Sequence, residues 1–275
     1  MSDAWSQCLF ASPPAMIEPR FTHAIARQVS SSLANCALTH QPRERIDVAL
    51  ARQQHQAYVD TLRALEIRVT VLPEEPALPD AVFVEDTAVI LDELIVVALP
   101  GCIARRPEIA SIVPVLKALR PLVFVETGTF DGGDALKIGR TLFVGYSSRT
   151  NREGARHLQS LLAPHSWKVV PVPIRGCLHL KSAVTHVAPG MVLANPRCVD
   201  VAPFSDLEVL TVPESEPWGA NVLAVNGVLL VPASAPRTLD VLGSRGFDTR
   251  PVEISELQKA EAGLTCLSLL YRELK

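Results

Sequence analysis

Short apolar runs that pair across tight polar links recur along this chain. Residues 134–138 form one such run, Gly139 and Arg140 form the link, and residues 141–145 form the second run. After Asn151 the pattern changes to helical spacing, and a third apolar run follows. Paired short runs across a glycine turn predict a β-hairpin, and the helical period after them predicts a crossover helix. The repeating unit is therefore ββαβ.

About five such units divide the chain, at a spacing of roughly 40 to 50 residues that is typical of radial repetition around an axis. Asn226 and Gly227 lie between two apolar runs and are the strongest single hairpin signal, because Asn-Gly favours a tight two-residue turn. The predicted units begin near residues 21, 82, 134, 182 and 221. We predict one α/β domain, residues 21–275, after a loose leader, residues 1–20.

The pattern also predicts the boundaries of individual strands and helices. Residues 82–84 are predicted as a strand, residues 182–187 as a strand of the fourth unit, and residues 43–65 as the helix of the first unit. An ordinary open α/β sheet is the alternative architecture. The hairpins argue against it, because a doubly wound sheet alternates single strands with helices.

Composition excludes several classes of partner. The formal net charge is -3, and no run of Lys and Arg is interleaved with aromatic residues, so no nucleic-acid partner is predicted. The longest apolar stretch, residues 88–99, contains Asp92 and Glu93 and is shorter than the roughly 20 residues that span a bilayer, so no membrane segment is predicted. Residues 1–20 contain Asp3 and two prolines where a secretory signal would have its apolar centre.

The six cysteines are scattered without paired spacing. In a chain of this size without an export signal, that pattern indicates reduced thiols and a cytoplasmic location. No CxxC or HExxH motif occurs, so no metal site is predicted.

Two acidic motifs interrupt apolar segments. Glu85 and Asp86 are adjacent carboxylates between apolar runs, and burial of a carboxylate costs several kcal/mol unless a cation or hydrogen-bond donors compensate for it. A cationic ligand would compensate for these charges. The sequence Asp131-Gly-Gly-Asp134 stands at the start of the next unit, where an ordinary glycine-rich turn is the alternative interpretation.

Cys266 and His179 are the candidate nucleophile and acid/base. Taken alone, Cys266 is more simply a buried structural cysteine, and His179, between two leucines, is more simply a structural histidine. Their significance depends on the motifs around them.

Seven collinear motifs resemble the dimethylarginine dimethylaminohydrolase family of the guanidino-group-modifying enzyme superfamily. They cover nearly all of the chain after residue 21, and together they are far more specific than any one motif. The motifs are LPDAVFVED (78–86), PGCIARR (100–106), DGGD (131–134), FVGYSSRTN (143–151), LHLK (178–181), AN (220–221) and GLTC (263–266).

The resemblance implies a fold and an activity. The implied fold is a five-bladed pseudosymmetric α/β propeller, the pentein fold, with the active site in its central channel. The implied activity is hydrolysis of N-omega-methylated arginines, such as asymmetric dimethylarginine, to citrulline and an amine through a covalent thiouronium intermediate. The implied ligand is thus a small guanidino amino acid, no metal or organic cofactor is required, and a homodimer is left open.

The resemblance also implies roles for matching positions. Cys266 would be the nucleophile, His179 the proton donor and later the general base, and Asp131 the carboxylate that orients His179. A mobile lid between Ser30 and Pro42 would carry one of the substrate contacts. The implied substrate-binding residues are Leu38, Asp80, Glu85, Asp86, Arg105, Arg149, Ala260 and Glu261.

One position departs from the family pattern. Five residues before the nucleophile the family usually has Asp, and this chain has Glu261, which is longer by one methylene group. Two alternatives therefore stay open beside hydrolysis of methylated arginines. One is hydrolysis of another guanidino or ureido compound, as in arginine deiminases, and the other is a non-catalytic binding protein on the same fold.

Overall fold

The computed structural model describes residues 20–273. Their strands form five separate three-stranded sheets. The predicted leader lies outside the described residues except for Arg20. Four helices of nine residues or more cross between strands, and two further helices are each four residues long. The helices are α1 (Val48–Ala64), α2 (Glu108–Lys117), α3 (Arg152–Leu162), α4 (Leu180–Ala183), α5 (Pro236–Ser244) and α6 (Ser255–Gln258).

Each sheet has the same topology. An inner strand pairs antiparallel with a middle strand, which pairs in parallel with an outer strand. The strands are β1 (His23–Arg27), β2 (Arg68–Leu72), β3 (Ala88–Ile90), β4 (Ile95–Val97), β5 (Leu122–Phe124), β6 (Ala135–Ile138), β7 (Thr141–Tyr146), β8 (Lys168–Pro173), β9 (Val184–Ala188), β10 (Met191–Ala194), β11 (Glu208–Thr211), β12 (Leu223–Val225), β13 (Val228–Pro232), β14 (Asp248–Val252) and β15 (Leu269–Tyr271).

The first blade is closed by the two ends of the domain. Its middle strand β1 pairs with β2 on one side and with β15 on the other. Strand β15 was not predicted from the sequence, because it is only three residues long and follows a turn rather than a hairpin. Its pairing supplies the inner strand that the first unit lacks, so all five blades are complete.

The inner strands β3, β6, β9, β12 and β15 line a central channel. A cavity of about 490 Å³ occupies part of this channel, and its lining includes Glu85, Lys181 and Thr265. Apolar clusters between blades fill the rest of the interior. The predicted five-unit propeller is therefore confirmed.

Several predicted boundaries were wrong. Residues 82–84 are not a strand, and residues 84–87 form a 3-10 turn instead. The predicted strand 182–187 begins at Val184, because helix α4 occupies the preceding residues. The helix predicted over 43–65 begins only at Val48, where the Asp47 side chain accepts a hydrogen bond from the Leu50 amide and caps it.

Candidate active site

The acidic pair lies on the 3-10 turn that replaces the predicted strand. Both carboxylates are buried, and the turn directs them to different partners. Glu85 Oε2 accepts a hydrogen bond of 2.7 Å from the Thr265 hydroxyl, and Glu85 Oε1 lies 2.6 Å from the Lys181 ammonium. Thr265 precedes Cys266, so Glu85 connects the acidic turn directly to the turn that carries the sulfur.

Cys266 is buried in the 3-10 turn Thr265–Leu267. Its Sγ accepts a hydrogen bond of 3.4 Å from the Gly263 amide. Asn221 holds this turn, because its side chain accepts from the Thr265 amide at 3.1 Å and donates to the Thr265 hydroxyl. Burial raises the pKa of the Cys266 thiol, and the negative charges of Glu85 and Asp86 raise it further. The resting sulfur is therefore a thiol at neutral pH.

His179 stands at the N-terminal end of helix α4. Asp134 accepts a hydrogen bond of 2.9 Å from the Leu180 amide and so fixes the backbone beside the imidazole. His179 Nε2 donates to Asp131 Oδ2 at 3.1 Å, and Nδ1 lies 3.6 Å from Asp86 Oδ1. Burial lowers the pKa of His179, but the nearby Asp86 charge and the Asp131 hydrogen bond outweigh it and raise the pKa to about 9. The resting side chain is therefore an imidazolium at neutral pH.

Asp86 lies between two cationic side chains, His179 and Arg105. Burial raises its pKa, but the His179 and Arg105 cations outweigh burial, and the pKa lies below its usual range. Gly133 donates a hydrogen bond of 3.1 Å to Asp86 Oδ1. A Cβ at Gly133 would lie 2.5 Å from that oxygen and 2.7 Å from His179 Nδ1, so only glycine fits between these two groups.

Arg105 is fully enclosed by protein groups. Nη1 donates to Asp86 Oδ2 at 2.5 Å, and Nε and Nη2 donate to the two oxygens of Glu108 at 2.9 and 2.8 Å. Nη2 also donates to the Asp80 and Phe83 carbonyls. The predicted contact between Arg105 and a substrate carboxylate has no support in this geometry. Arg105 instead neutralises Asp86 and holds it in place.

Arg149 differs from Arg105 in that one of its guanidinium nitrogens has no hydrogen-bond partner among the described residues. Its Nη1 is buried without a hydrogen-bond partner among residues 20–273, and it lies 3.9 Å from Asp131 Oδ2. Its Nη2 donates to Thr39 Oγ1 at 3.2 Å. Asp80 is also buried and accepts from the Ala37 amide at 3.0 Å. Arg149 and Asp80 therefore both contact the segment that was predicted to be a lid.

The remaining predicted residues lie at the lid and beside it. Leu38 is partly buried and packs on the hydrophobic cluster of the first blade, and Ala260 is buried in the same cluster. Glu261 points to the lid: its carboxylate accepts hydrogen bonds from the Thr39, His40 and Gln41 amides. These amides engage both of its oxygens, and the predicted role of Glu261 in substrate binding stays a prediction.

Four contributors were not assigned roles from the sequence. Lys181, Thr265 and Asn221 lie inside the LHLK, GLTC and AN motifs, so their proximity to the candidate residues in sequence was the available signal. Glu108 had no such signal. It stands three residues after Arg105 on α2, and a single ion pair at that spacing is common on any helix surface.

Asp86, Asp131 and His179 also form the one group in the described part of the chain with metal-ligand spacing. Each offers a ligand atom, and these atoms lie within 4.8 Å of one another. The two carboxylates already face cations, because Asp86 pairs with Arg105 and Asp131 accepts from His179. These cationic partners compete with any metal ion for the same oxygens.

Substitution of Asp131 by asparagine is expected to lower the pKa of His179 from about 9, because the hydrogen bond to the Asp131 carboxylate raises that pKa. A pH titration of ¹³Cε1-labelled histidine by NMR measures the shift. His55, whose pKa burial lowers to about 4, provides an internal reference. Asp92→Asn is the matched control, because Asp92 pairs with Lys137 away from the imidazole. An unchanged His179 titration in Asp131→Asn would contradict the assignment.

Known proteins of one family are similar to this chain over most of its length. Residues 34–202 match the family model for N,N dimethylarginine dimethylhydrolase, eukaryotic. The chain is 39% identical over 254 residues to N(G),N(G)-dimethylarginine dimethylaminohydrolase from Streptomyces coelicolor, covering 91% of this chain and 97% of the relative. The chain belongs to the dimethylarginine dimethylaminohydrolase family. The family assignment predicted from the seven motifs is confirmed.

Solved structures of the dimethylarginine dimethylaminohydrolase family support the fold. The enzyme from Pseudomonas aeruginosa, as a Cys-to-Ser mutant complexed with citrulline, is 31% identical and superposes with a TM-score of 0.86, covering 92% of this chain and all of that one. A His-to-Gly dimethylarginine dimethylaminohydrolase, as an adduct with S-methyl-L-thiocitrulline, is 32% identical with a TM-score of 0.87, covering 91% of this chain and all of that one. The pentein propeller is thus the fold of this chain.

Within residues 20–273, none of the helices combines the length and the apolar character needed to cross a bilayer.

Proposed function

We propose that this protein hydrolyses N-omega-methylated L-arginines to citrulline and an amine, with Cys266 as nucleophile and His179 as acid and base. The observation that carries the proposal is that the adjacent buried carboxylates Glu85 and Asp86 link the turn bearing Cys266 to the imidazole of His179. Glu85 bonds to the residue before Cys266, and Asp86 lies 3.6 Å from His179. The family membership supports the same reaction.

The acidic pair supplies the site for a planar cation. A guanidinium carbon is a weak electrophile because resonance spreads its charge, so it must be held with its carbon facing the nucleophile. Glu85 and Asp86 are buried acceptors beside the sulfur. Lys181 pairs with Glu85, and the substrate guanidinium becomes a second cationic partner of Glu85.

The resting protonation states of Cys266 and His179 determine which group must first lose a proton and which can donate one. The buried Cys266 is a thiol and His179 is an imidazolium, so the acid is ready and the nucleophile is not. A bound cation offsets the charges of Glu85 and Asp86 that raise the thiol pKa, and the thiol then releases its proton to solvent water. Substrate binding therefore activates the sulfur.

The reaction then proceeds in two halves. The Cys266 thiolate forms a bond to the guanidinium carbon, His179 donates its proton to the departing nitrogen, and the carbon–nitrogen bond breaks to leave an S-alkylthiouronium. Neutral His179 then takes a proton from water, whose oxygen attacks the same carbon. The adduct's hydroxyl loses its proton to solvent water or to the released amine as the carbon–sulfur bond breaks, which releases citrulline and the thiolate. Asp131 keeps the imidazole oriented through both halves.

The α-amino acid end of the substrate meets the lid side of the site. Arg149 Nη1 is a buried cationic donor without a hydrogen-bond partner among residues 20–273, and we assign it to the substrate carboxylate. Asp80 is assigned to the substrate amino group. Leu38 and Ala260 contribute main-chain contacts. Agmatine, which lacks the carboxylate, cannot use Arg149.

Turnover of four compounds tests the proposal. Purified protein is incubated with asymmetric dimethylarginine, monomethylarginine, arginine and agmatine, and the ureido product is measured colorimetrically. Turnover of the two methylated arginines above the others is expected. Turnover of arginine alone would identify an arginine deiminase activity, and no turnover of any compound would support a binding protein.

Arg149→Met is expected to raise KM for methylarginines about a hundredfold, because loss of one partner of a buried charge pair costs about 2 to 5 kcal/mol. The measurement is steady-state kinetics with monomethylarginine. Arg152→Met is the matched control, because Arg152 lies at the exposed start of α3, away from the site, and its variant should retain the original KM. An unchanged KM in Arg149→Met would remove Arg149 from the binding site.

A further inference from the structure

We propose that Glu261 is a positioning residue that latches the lid closed over the site. The lid consists of residues 30–42, which precede helix α1 and carry Leu38. The latch consists of hydrogen bonds within the chain itself. Its effect on catalysis rests on the proposed function, because the lid covers the site that this function assigns to the substrate.

The contacts of Glu261 are concentrated on three consecutive lid amides. Oε2 accepts from the Thr39 amide at 3.0 Å, and Oε1 accepts from the His40 and Gln41 amides at 2.5 Å each. Converging backbone N–H groups form an anion-binding concavity. Bonds from neutral donors to a carboxylate are stronger than bonds between neutral groups. One side chain therefore holds three successive residues of the lid.

The backbone at Glu261 is unusual as well. Its φ is +60°, in the left-handed region that non-glycine residues rarely adopt. This conformation follows directly after the last turn of α6, where the Glu261 amide bonds to the Gln258 carbonyl at 2.9 Å. Strained residues of this kind persist where their surroundings hold them and are concentrated at functional sites. The three lid amides supply part of that support.

Two other side chains that contact the lid are also assigned to the substrate. Asp80 accepts from the Ala37 amide, and Arg149 donates to Thr39, but both side chains are assigned to the substrate's α-amino acid end. A bound substrate must share these two groups with the lid. Both oxygens of Glu261 already face lid amides, so it can hold the lid while Asp80 and Arg149 engage the substrate.

The length of the side chain matters for this contact. Aspartate at this position would be shorter by one carbon–carbon bond, about 1.5 Å. The shorter side chain lengthens and weakens hydrogen bonds that are now 2.5 to 3.0 Å long, while the charge remains. Glu261→Asp keeps the charge but loses reach, whereas Glu261→Gln keeps the length but replaces one acceptor oxygen with a donor.

Hydrogen exchange of the lid tests the latch without any substrate. In Glu261→Gln, the amides of Thr39, His40 and Gln41 are expected to exchange about tenfold faster or more, because hydrogen bonds to a charged group stabilise a closed state to that degree. Glu261→Asp should give a smaller increase. Amides of α1 should be unchanged, which shows that the domain remains folded.

Glu216→Gln is the matched control. Glu216 also accepts two backbone amides, from Arg237 at 2.8 Å and Thr238 at 2.7 Å, but at the start of α5 and not at the lid. Its variant should speed exchange at those two amides and leave the lid unchanged. Equal lid exchange in wild type and Glu261→Gln would overturn the latch.

Kinetics then connect the latch to the reaction. Glu261→Gln should raise KM for asymmetric dimethylarginine about tenfold while kcat changes less than about twofold, with partial recovery in Glu261→Asp. A fall in kcat with constant KM would overturn the positioning role. If wild-type protein turns over no methylarginine but the lid amides respond as expected, the proposed function fails and the latch stands.

Discussion

Replacement of Cys266 by serine is expected to abolish turnover of methylarginines, with a loss in kcat of at least about 10⁴-fold, the scale seen when a catalytic nucleophile is removed. A serine hydroxyl has nearly the same size, so the hydrogen bonds of the turn are kept. It is a far weaker nucleophile, and in this site no neutral base is available to activate it, because His179 is an imidazolium at neutral pH. Steady-state and single-turnover assays of ureido product measure the loss.

A control variant and a binding measurement distinguish loss of the nucleophile from loss of folding or substrate binding. Cys198→Ser is the matched control, because Cys198 is half-buried in the fourth blade and its sulfur accepts a hydrogen bond from the Asn195 side chain that a serine oxygen can also accept. That variant should keep wild-type kinetics. Dimethylarginine should still bind Cys266→Ser by calorimetry, since the acidic pair is intact. Activity of Cys266→Ser within tenfold of wild type would refute the nucleophile assignment.

Replacement of His179 by glycine is expected to lower kcat about 10³- to 10⁴-fold and to separate the two halves of the reaction, because general acid–base groups contribute on that scale. An amine cannot depart without a proton, so dimethylarginine stalls at the first half. A thiolate is a better leaving group than an amine and needs less protonation. With S-methyl-L-thiocitrulline, the variant should therefore form the thiouronium on Cys266 and fail to hydrolyse it.

Intact-mass spectrometry detects this adduct as a mass increase of one equivalent. The double variant Cys266→Ser with His179→Gly should show no increase, which assigns the adduct to Cys266. Rapid release of citrulline by His179→Gly would show that another group serves as the base. Absence of an adduct together with intact binding would show that His179 is needed earlier, for formation of the thiolate.

The sequence predicted the repeating unit because that unit is local. The hairpin at Asn226 and Gly227 and the Asn151 cap of α3 each involve residues within a few positions of one another, and both occur in the structure. The Asn151 side chain accepts the Gly154 amide at 2.8 Å, as the cap requires. Five such units imply a propeller, whereas the closure of the first blade by β15 is a pairing across the whole domain.

The acidic turn shows where local patterns misled. Apolar residues on both sides of Glu85 and Asp86 predicted a strand, since short apolar runs usually indicate one. The structure forms a 3-10 turn there, which places both carboxylates in the interior with different partners. The cations His179, Arg105 and Lys181 offset the free-energy cost of burying these two carboxylates. Those cations come from distant parts of the sequence.

The sequence by itself determined the family, the modular fold and the identity of the candidate residues, because motifs and periodicity are carried by neighbouring positions. Only the tertiary structure decided how those residues are arranged: Arg105 supports Asp86, Arg149 Nη1 lacks a hydrogen-bond partner within residues 20–273, and Glu261 binds the lid. The reason is electrostatic. The partner and protonation state of a buried charge depend on burial and on groups a few ångströms away, and these groups are brought together only by packing of the blades.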